Sequence, residues 1–335
     1  MILNKDFSFY LTNFFNNFLP KHKNVSRNTI LLYRDCFVLF LKFCDTERNI
    51  NIDTISFDDI SRELILSFLS WLETNRNCSI STRNQRLAAL KSFCKYVQFE
   101  EPKYFELCSN IRNIEPKKHK KASMNYISSD GIKILLKQPN MHFKDEFRDL
   151  AMISFLYDSG ARVQELIDLN VSNLYLENNP KVYITGKGDK TRIVPLNKEM
   201  AKILKLYVSK FNLHNTDILF TNKYGKRLTR KGVNYVLNKY IERAKIEYPE
   251  HFNFKISPHC LRHSKAMHLL EAGVNLIYIR DFLGHASVST TEVYAKANPE
   301  IRRKQLEAAS NNIVKNSRFS AKDKNALIKF LREEL

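Results

Sequence analysis

Tyr294 follows His285 by nine positions in "LGHASVSTTEVY" (283–294), with small and hydroxylated residues between them. In "ISPHCLRHSKAMHLLEAG" (256–273), His259 and Arg262 stand three apart. They share a face of the first turn of a helix that Ser257 and Pro258 start and Gly273 stops. Free backbone N–H groups and the helix dipole favour an anion there, and a phosphate fits. "YDSGARVQELIDL" (157–169) adds Arg162 just after the turn residue Gly160, with Glu165 three positions on to orient the guanidinium. Two planar guanidinium forks can grip both non-bridging oxygens of one phosphodiester. In "GKGDKTR" (186–192), Lys187 sits between Gly186 and Gly188, where its ammonium can approach a ligand. Nothing like G-x-x-x-x-G-K-[ST] surrounds it, which argues against an ATPase. Taken singly, each feature is more often ordinary: a packed tyrosine, a hydrogen-bonded histidine, a surface Arg–Glu pair, a solvated lysine.

Their meaning depends on the elements that carry them. The 335 residues suffice for two cores, and 44% are hydrophobic. No run of about 18 apolar residues occurs, and the start "MILNKDFSFYLTNFFNNFLP" is interleaved with polar residues. A cytoplasmic protein without membrane partners is expected. Cys36, Cys44, Cys78, Cys94, Cys108 and Cys260 form no C-x-x-C pair, so neither disulfides nor a metal site is expected. The net charge of +19 attracts polyanions and points to nucleic acid. It is concentrated late in the chain: residues 1–112 hold 15 Lys+Arg against 12 Asp+Glu, and residues 113–335 hold 39 against 23.

Phe7, Tyr10, Leu11, Phe14, Phe15, Phe18 and Leu19 recur at helical spacing until Pro20, which is expected to stop the helix. A second helix with Ser26 as its cap buries Ile30, Tyr33, Phe37, Phe40, Leu41 and Cys44. "SFDDISRELILSFLSWLETN" and "SISTRNQRLAALKSFCKYV" supply two more, giving a small helical bundle over residues 1–112. "NIEPKKHKKASMNYIS" reads as an exposed basic linker, taken as 113–125. Beyond it come helices near 129–138 and 145–158, a hairpin in "KVYITGKGDKTRIVPL", and further helices to the end. The expected fold is mainly α with a small β-hairpin or sheet: an N-terminal helical domain, then a mixed α/β domain over 126–310. A tail helix over 311–335 has Ser320 and Asp323 as a capping signal, and Leu327, Phe330, Leu331 and Leu335 as its apolar stripe.

In this order, "SGARVQEL", "GKGDKTRIVPL", "SPHCLRH" and "LGHASVSTTEVY" resemble the successive boxes of the tyrosine recombinases, the phage-integrase and Xer-like family. "NTILLYRDCFVLFLKFC" and "NQRLAALKSFCKYV" resemble that family's helical, SAM-like core-binding domain. The resemblance implies a site-specific DNA recombinase that joins a strand's 3′ phosphate to tyrosine, releases a 5′ hydroxyl, and needs neither cofactor nor metal. It makes Tyr294 the nucleophile, Arg162 and Arg262 the phosphate clamp, Lys187 the general acid, and His259 with His285 a supporting hydrogen-bonding pair. Glu165 matches the acidic position behind the first arginine. The resemblance further implies two domains closing around double-stranded DNA recombination sites, and a homo-tetramer on two sites, with a related recombinase as an optional partner. Candidate DNA contacts are Arg83, Arg86, Lys117, Lys118, Lys120, Lys121, Arg230 and Lys231. Two alternatives share parts of this pattern: a type IB topoisomerase, and a DNA-binding regulator without activity. The pattern leaves the role open among chromosome resolution, integration and transposition, and no motif encodes the target sequence.

Overall fold

The computed structural model describes residues 6–119, 124–186, 188–285, 287–297 and 303. The chain divides into two compact units, Met1–Ala122 and Ser123–Leu335.

The first unit contains α1 (Phe7–Asn13), α2 (Arg27–Arg48), α3 (Arg62–Thr74), α4 (Ile80–Glu100) and α5 (Phe105–Arg112). The carboxylate of Asp6 caps α1 by accepting from Phe9 N at 3.0 Å. Contrary to expectation, Pro20 does not end the first helical stretch. The chain continues from Phe14 to His22 as a π-helix with Pro20 inside it. A wider turn relieves the clash that a proline ring makes with an α-helical carbonyl, and it keeps Phe14 and Leu19 fully buried. Ser26 does stand before α2, but its hydroxyl pairs with Thr29 Oγ1 at 3.0 Å and makes no backbone cap. The core is aromatic. Phe93 of α4 lies at its centre, with ring centroids 5.5 Å from Phe7, 5.3 Å from Phe14 and 5.2 Å from Phe37. Trp71, the only tryptophan of the sequence, packs on Phe43 and Phe68 under the Arg76 guanidinium. The first part of the basic stretch is docked on this unit. Ile114 is buried, and the Asn84 side chain bonds both the N–H and the carbonyl of Lys117.

The second unit holds α6 (Ser129–Lys137), α7 (Lys144–Ser159) and α8 (Val163–Ile167), then a sheet of β1 (Leu174–Tyr175), β2 (Lys181–Thr185) and β3 (Thr191–Pro195). It ends, among described residues, with α9 (Lys198–Lys210), α10 (Arg230–Glu247), α11 (Pro258–Glu271), α12 (Leu276–Leu283) and α13 (Ser289–Ala297). The strands are antiparallel in the order β1-β2-β3, and Val182, Ile184 and Val194 turn inward to the main core. Two-residue β1 is too short to leave a period in the sequence. The β2–β3 hairpin closes with Gly186 N donating to Lys190 O, and Gly188 takes a positive φ of 77°. Pro258 stands at the start of α11 as expected, though Ser257 makes no side-chain cap. A smaller cluster of Ala266, Met267, Leu270, Ile279, Leu283 and Tyr294 joins α11, α12 and α13. The expected tail helix over 311–335 lies outside the described residues. No helix among the described residues is long and apolar enough to cross a membrane.

Candidate active site

Three motifs meet at the C-terminal end of α12. The carbonyls of Phe282, Leu283 and Gly284 each accept from a different arginine: Arg192 Nε at 3.0 Å, Arg262 Nη2 at 2.6 Å and Arg162 Nη2 at 3.3 Å. The last carbonyls of a helix have no intrahelical partner and carry the negative end of its dipole, so guanidinium groups suit them. Gly284 leaves the helix at φ 65°, and Arg192 packs so closely that a Cβ at 284 would lie 2.8 Å from its Cδ. Arg262, on α11, is only 1% exposed, and its Nη1 also donates to Gly160 O at 2.6 Å. It thereby ties the end of α7 to the end of α12.

Arg162 immediately precedes α8, and its side chain is 40% exposed, the open member of the three. Glu165, in the first turn of α8, is buried beneath it. The carboxylate accepts from Arg162 N (2.8 Å) and Nη1 (2.7 Å), and from Arg192 Nη1 (3.0 Å) and Nη2 (2.8 Å). Burial alone would raise the Glu165 carboxyl. Hydrogen bonds and charge from Arg192, then Arg162, overcome it and hold the group below the usual carboxylate range. Gly186 packs against the same carboxylate, where a Cβ would lie 3.1 Å from Oε1, so the hairpin that bears Lys187 starts beside Glu165. Lys187 itself lies outside the described residues.

Tyr294, on α13, is 1% exposed. Its hydroxyl is 2.9 Å from His263 Nδ1, and its ring lies nearly parallel to that of His285 at 6.3 Å. His285 Nδ1 pairs with Thr291 Oγ1 at 3.0 Å, and the His259 ring sits edge-on to His263 at 4.4 Å. Burial, then the charges of Arg262 and Arg162, pulls His285 down to about 4. Burial, then His259 and Arg262, pulls His263 down to about 4 as well. His259 is lowered by burial and the same two arginines. These rings are therefore neutral near pH 7. Burial raises Tyr294 despite Arg262 and Arg162, so the phenol keeps its proton. Burial, then the charge of Arg162, brings Arg262 to about 9, still charged at neutral pH.

The site thus brings together Arg162, Glu165, His259, Arg262, His285 and Tyr294. Two of its members, Arg192 and His263, were not among the residues expected from sequence. His263 stands one helical turn after His259, and Arg192 is the third cation of the hairpin motif, after Lys187 and Lys190, at an inward-leaning strand position. Those are weak signals that could have found them. The expected DNA contacts are spread over both units. Arg83 is buried, with Nε 3.2 Å from Glu73 Oε1, so it joins α4 to α3. Arg86 is half-buried, with Nη1 at 2.9 Å from Cys78 Sγ. Lys117 is exposed and pairs with Glu73 at 2.9 Å; Lys118 is exposed, and Lys120 and Lys121 lie outside the described residues. Arg230 and Lys231 are exposed at the start of α10, where Arg230 Nε donates to Gln164 Oε1 at 3.0 Å. Among the described residues, no group of three His, Cys, Asp or Glu is placed to hold a metal ion.

The profile of the phage integrase family matches residues 125–300, and that of the phage integrase N-terminal SAM-like domain matches 12–101. The tyrosine recombinase XerD of Oceanobacillus iheyensis is 35% identical over 289 residues, covering 84% of this chain and 91% of its own length. Among solved structures, the XerH site-specific recombinase bound to palindromic difH substrate superposes with a TM-score of 0.68 at 24% identity, covering 87% of this chain and 82% of that one. The Tn1549 transposon integrase in complex with transposon right end DNA gives 0.69 at 16% identity, covering 90% and 98%.

Proposed function

Since this chain belongs to the phage integrase family, and is a tyrosine-type site-specific recombinase that cuts and rejoins DNA, we propose that Tyr294 carries the covalent step. The convergence of Tyr294 with Arg162, Arg262 and the neutral histidines at one helix end carries this reading. Arg162, Arg192 and Arg262 against Glu165 leave two positive charges in excess. That suits a phosphodiester whose negative charge grows as the phenolic oxygen adds. The Tyr294 oxygen bonds to phosphorus, its proton passing toward His263 Nδ1, and the bond from phosphorus to the 5′ oxygen breaks. Lys187 protonates that leaving oxygen, a contribution of about 10²–10⁴-fold for a positioned acid. Attack by another strand's 5′ hydroxyl on the 3′-phosphotyrosine reverses the chemistry without nucleotide. His259 and His285 hold the phosphate oxygens as neutral hydrogen-bond partners.

Tyr294 and Arg262 are closed to solvent, so the site has to open before a phosphate reaches them. Duplex DNA bearing the recombination site is the partner, and four copies on two sites is the proposed assembly. The relatives favour strand exchange over the topoisomerase and inactive-regulator alternatives. A nicked suicide substrate tests the nucleophile: the unmodified protein accumulates a covalent adduct, and Tyr294→Phe binds the same DNA without forming one. An adduct in Tyr294→Phe removes the assignment. A sulfur in place of the bridging 5′ oxygen should rescue Lys187→Ala far more than Arg162→Ala, and equal rescue removes the acid role from Lys187.

A further inference from the structure

We propose that Arg192 is a positioning residue for strand cleavage, a bridge that fixes Arg162 and the hairpin of Lys187 relative to the chain entering His285 and Tyr294. This rests on the reading of the site as a tyrosine recombinase centre. All three guanidinium nitrogens of Arg192 are engaged inside the protein. Nη1 and Nη2 meet the two oxygens of Glu165 side by side, and Nε donates to Phe282 O. The side chain is 12% exposed. Its backbone pairs with Ile184 across the hairpin, one pair from the Thr185–Thr191 pair that closes on the turn carrying Lys187. One guanidinium therefore joins three elements: β3 with its hairpin, the α8 start that holds Arg162 through Glu165, and the α12 end that precedes His285.

Stability alone is a poor account of such a group. A buried Arg–carboxylate pair gains little over well-packed apolar residues of the same volume, because desolvation offsets the attraction. What the planar fork supplies is direction, two parallel bonds to a carboxylate with a third donor at a fixed angle. A lysine keeps the charge and reaches Glu165 or Phe282 O, without holding both. Arg162 would then swing with its unclamped partner, and a misplacement of about 1 Å near the chemistry costs on the order of 10²-fold.

The charged groups facing Glu165 are Arg162 at the start of α8, Arg192 on β3 and Arg262 on α11. His259 and His285 add no charge there near neutral pH. Removing Arg192 leaves burial less opposed, so Glu165 takes up a proton at a higher pH than before. The acid side of the cleavage-rate profile then moves toward neutrality, which a general loss of packing would not produce.

The test is single-turnover cleavage of a nicked suicide substrate by the full chain, with DNA affinity measured alongside. Arg192→Lys should cleave about 10²-fold more slowly with DNA affinity unchanged, and Arg192→Met, which also removes the charge, should have its acid limb at higher pH. Gly284→Ala approaches the same bridge from the other side, since its Cβ would meet Arg192, and keeps the idea testable should Arg192→Lys not fold. It should slow cleavage in the same sense, and combining the two should cost less than the product of the separate losses. Cleavage by Arg192→Lys at the unmodified rate, or by Arg192→Met slowed equally at every pH, overturns the bridge. With Arg192→Lys unfolded, an unaffected Gly284→Ala does the same. Failure of the unmodified protein to form any adduct would instead defeat the recombinase reading.

Discussion

The aromatic core of the first unit and the arginine-ringed end of α12 in the second solve burial in opposite ways. Around Phe93 the side chains are apolar, and rings meet edge to face at 5.2–5.5 Å with no directional bond required. At the end of α12, Arg262 and the Leu283 carbonyl are buried as a hydrogen-bonded pair, and the Phe282 and Gly284 carbonyls beside them each take a guanidinium partner of their own. The first arrangement is set by volume and tolerates exchange among similar shapes. The second is set by direction, and its cost of failure is an unpaired charge or carbonyl.

The sharpest way to test that contrast is Arg262→Ala. It should cut the cleavage rate by about 10²–10³-fold, by analogy with removing one oxyanion donor. It should also leave Gly160 O and Leu283 O without a donor, at about 1–3 kcal/mol each. Single-turnover cleavage and thermal unfolding measure the two effects, and near-normal values for both would erase the distinction between the regions. Next comes Phe93→Ala, expected to lower the stability of the first unit by about 3–5 kcal/mol, against less than about 1.5 for Phe93→Leu. Hydrogen exchange in α4 reads this directly. Equal losses for both substitutions would mean that the aromatic core is as exacting as the arginine cluster.

A third effect is confined to the second unit. His263 and His285 lie at about 4 in the folded chain, against an ordinary 6.5, so the unfolded chain takes up their protons first as the medium acidifies. The stability they contribute is complete above pH 6.5 and disappears as the pH falls to about 4. Urea midpoints for this unit should decline across that window, and His263→Gln should flatten the decline. The smallest effects belong to exposed cations that the comparison leaves out. Lys118→Ala and Lys231→Ala should each reduce the salt slope of DNA binding by about one and leave the cleavage rate unchanged. A rate change at either position would extend the directional network beyond α12.

This contrast also explains what was legible in the sequence. The stripe from Phe7 to Leu19 announces a buried helical face, because period alone carries that information. The pairing of His285 with Tyr294 was legible through motif order, and their rings do lie together. Arg192 was not legible as part of the site, because its meaning depends on Glu165, 27 positions earlier, and on a carbonyl 90 positions later. No local period encodes such a meeting. Pro20 misled for a related reason: a proline forbids an ordinary α turn, and nothing in its neighbours signals that the chain will widen to a π turn. Arg83 reads as a cation for DNA, and only the packing of α3 brings Glu73 alongside it.

Trp71 has an optical consequence. As the sole tryptophan, it lies against Phe43 and Phe68 in the first unit, so indole emission from this protein is a report on that unit alone. A fluorescence melt would register loss of the aromatic core and stay silent while the cleavage centre came apart. Circular dichroism, which sums over all the helices, would register both. Divergence between the two signals would therefore show whether the halves melt as one body or in sequence, with no label attached.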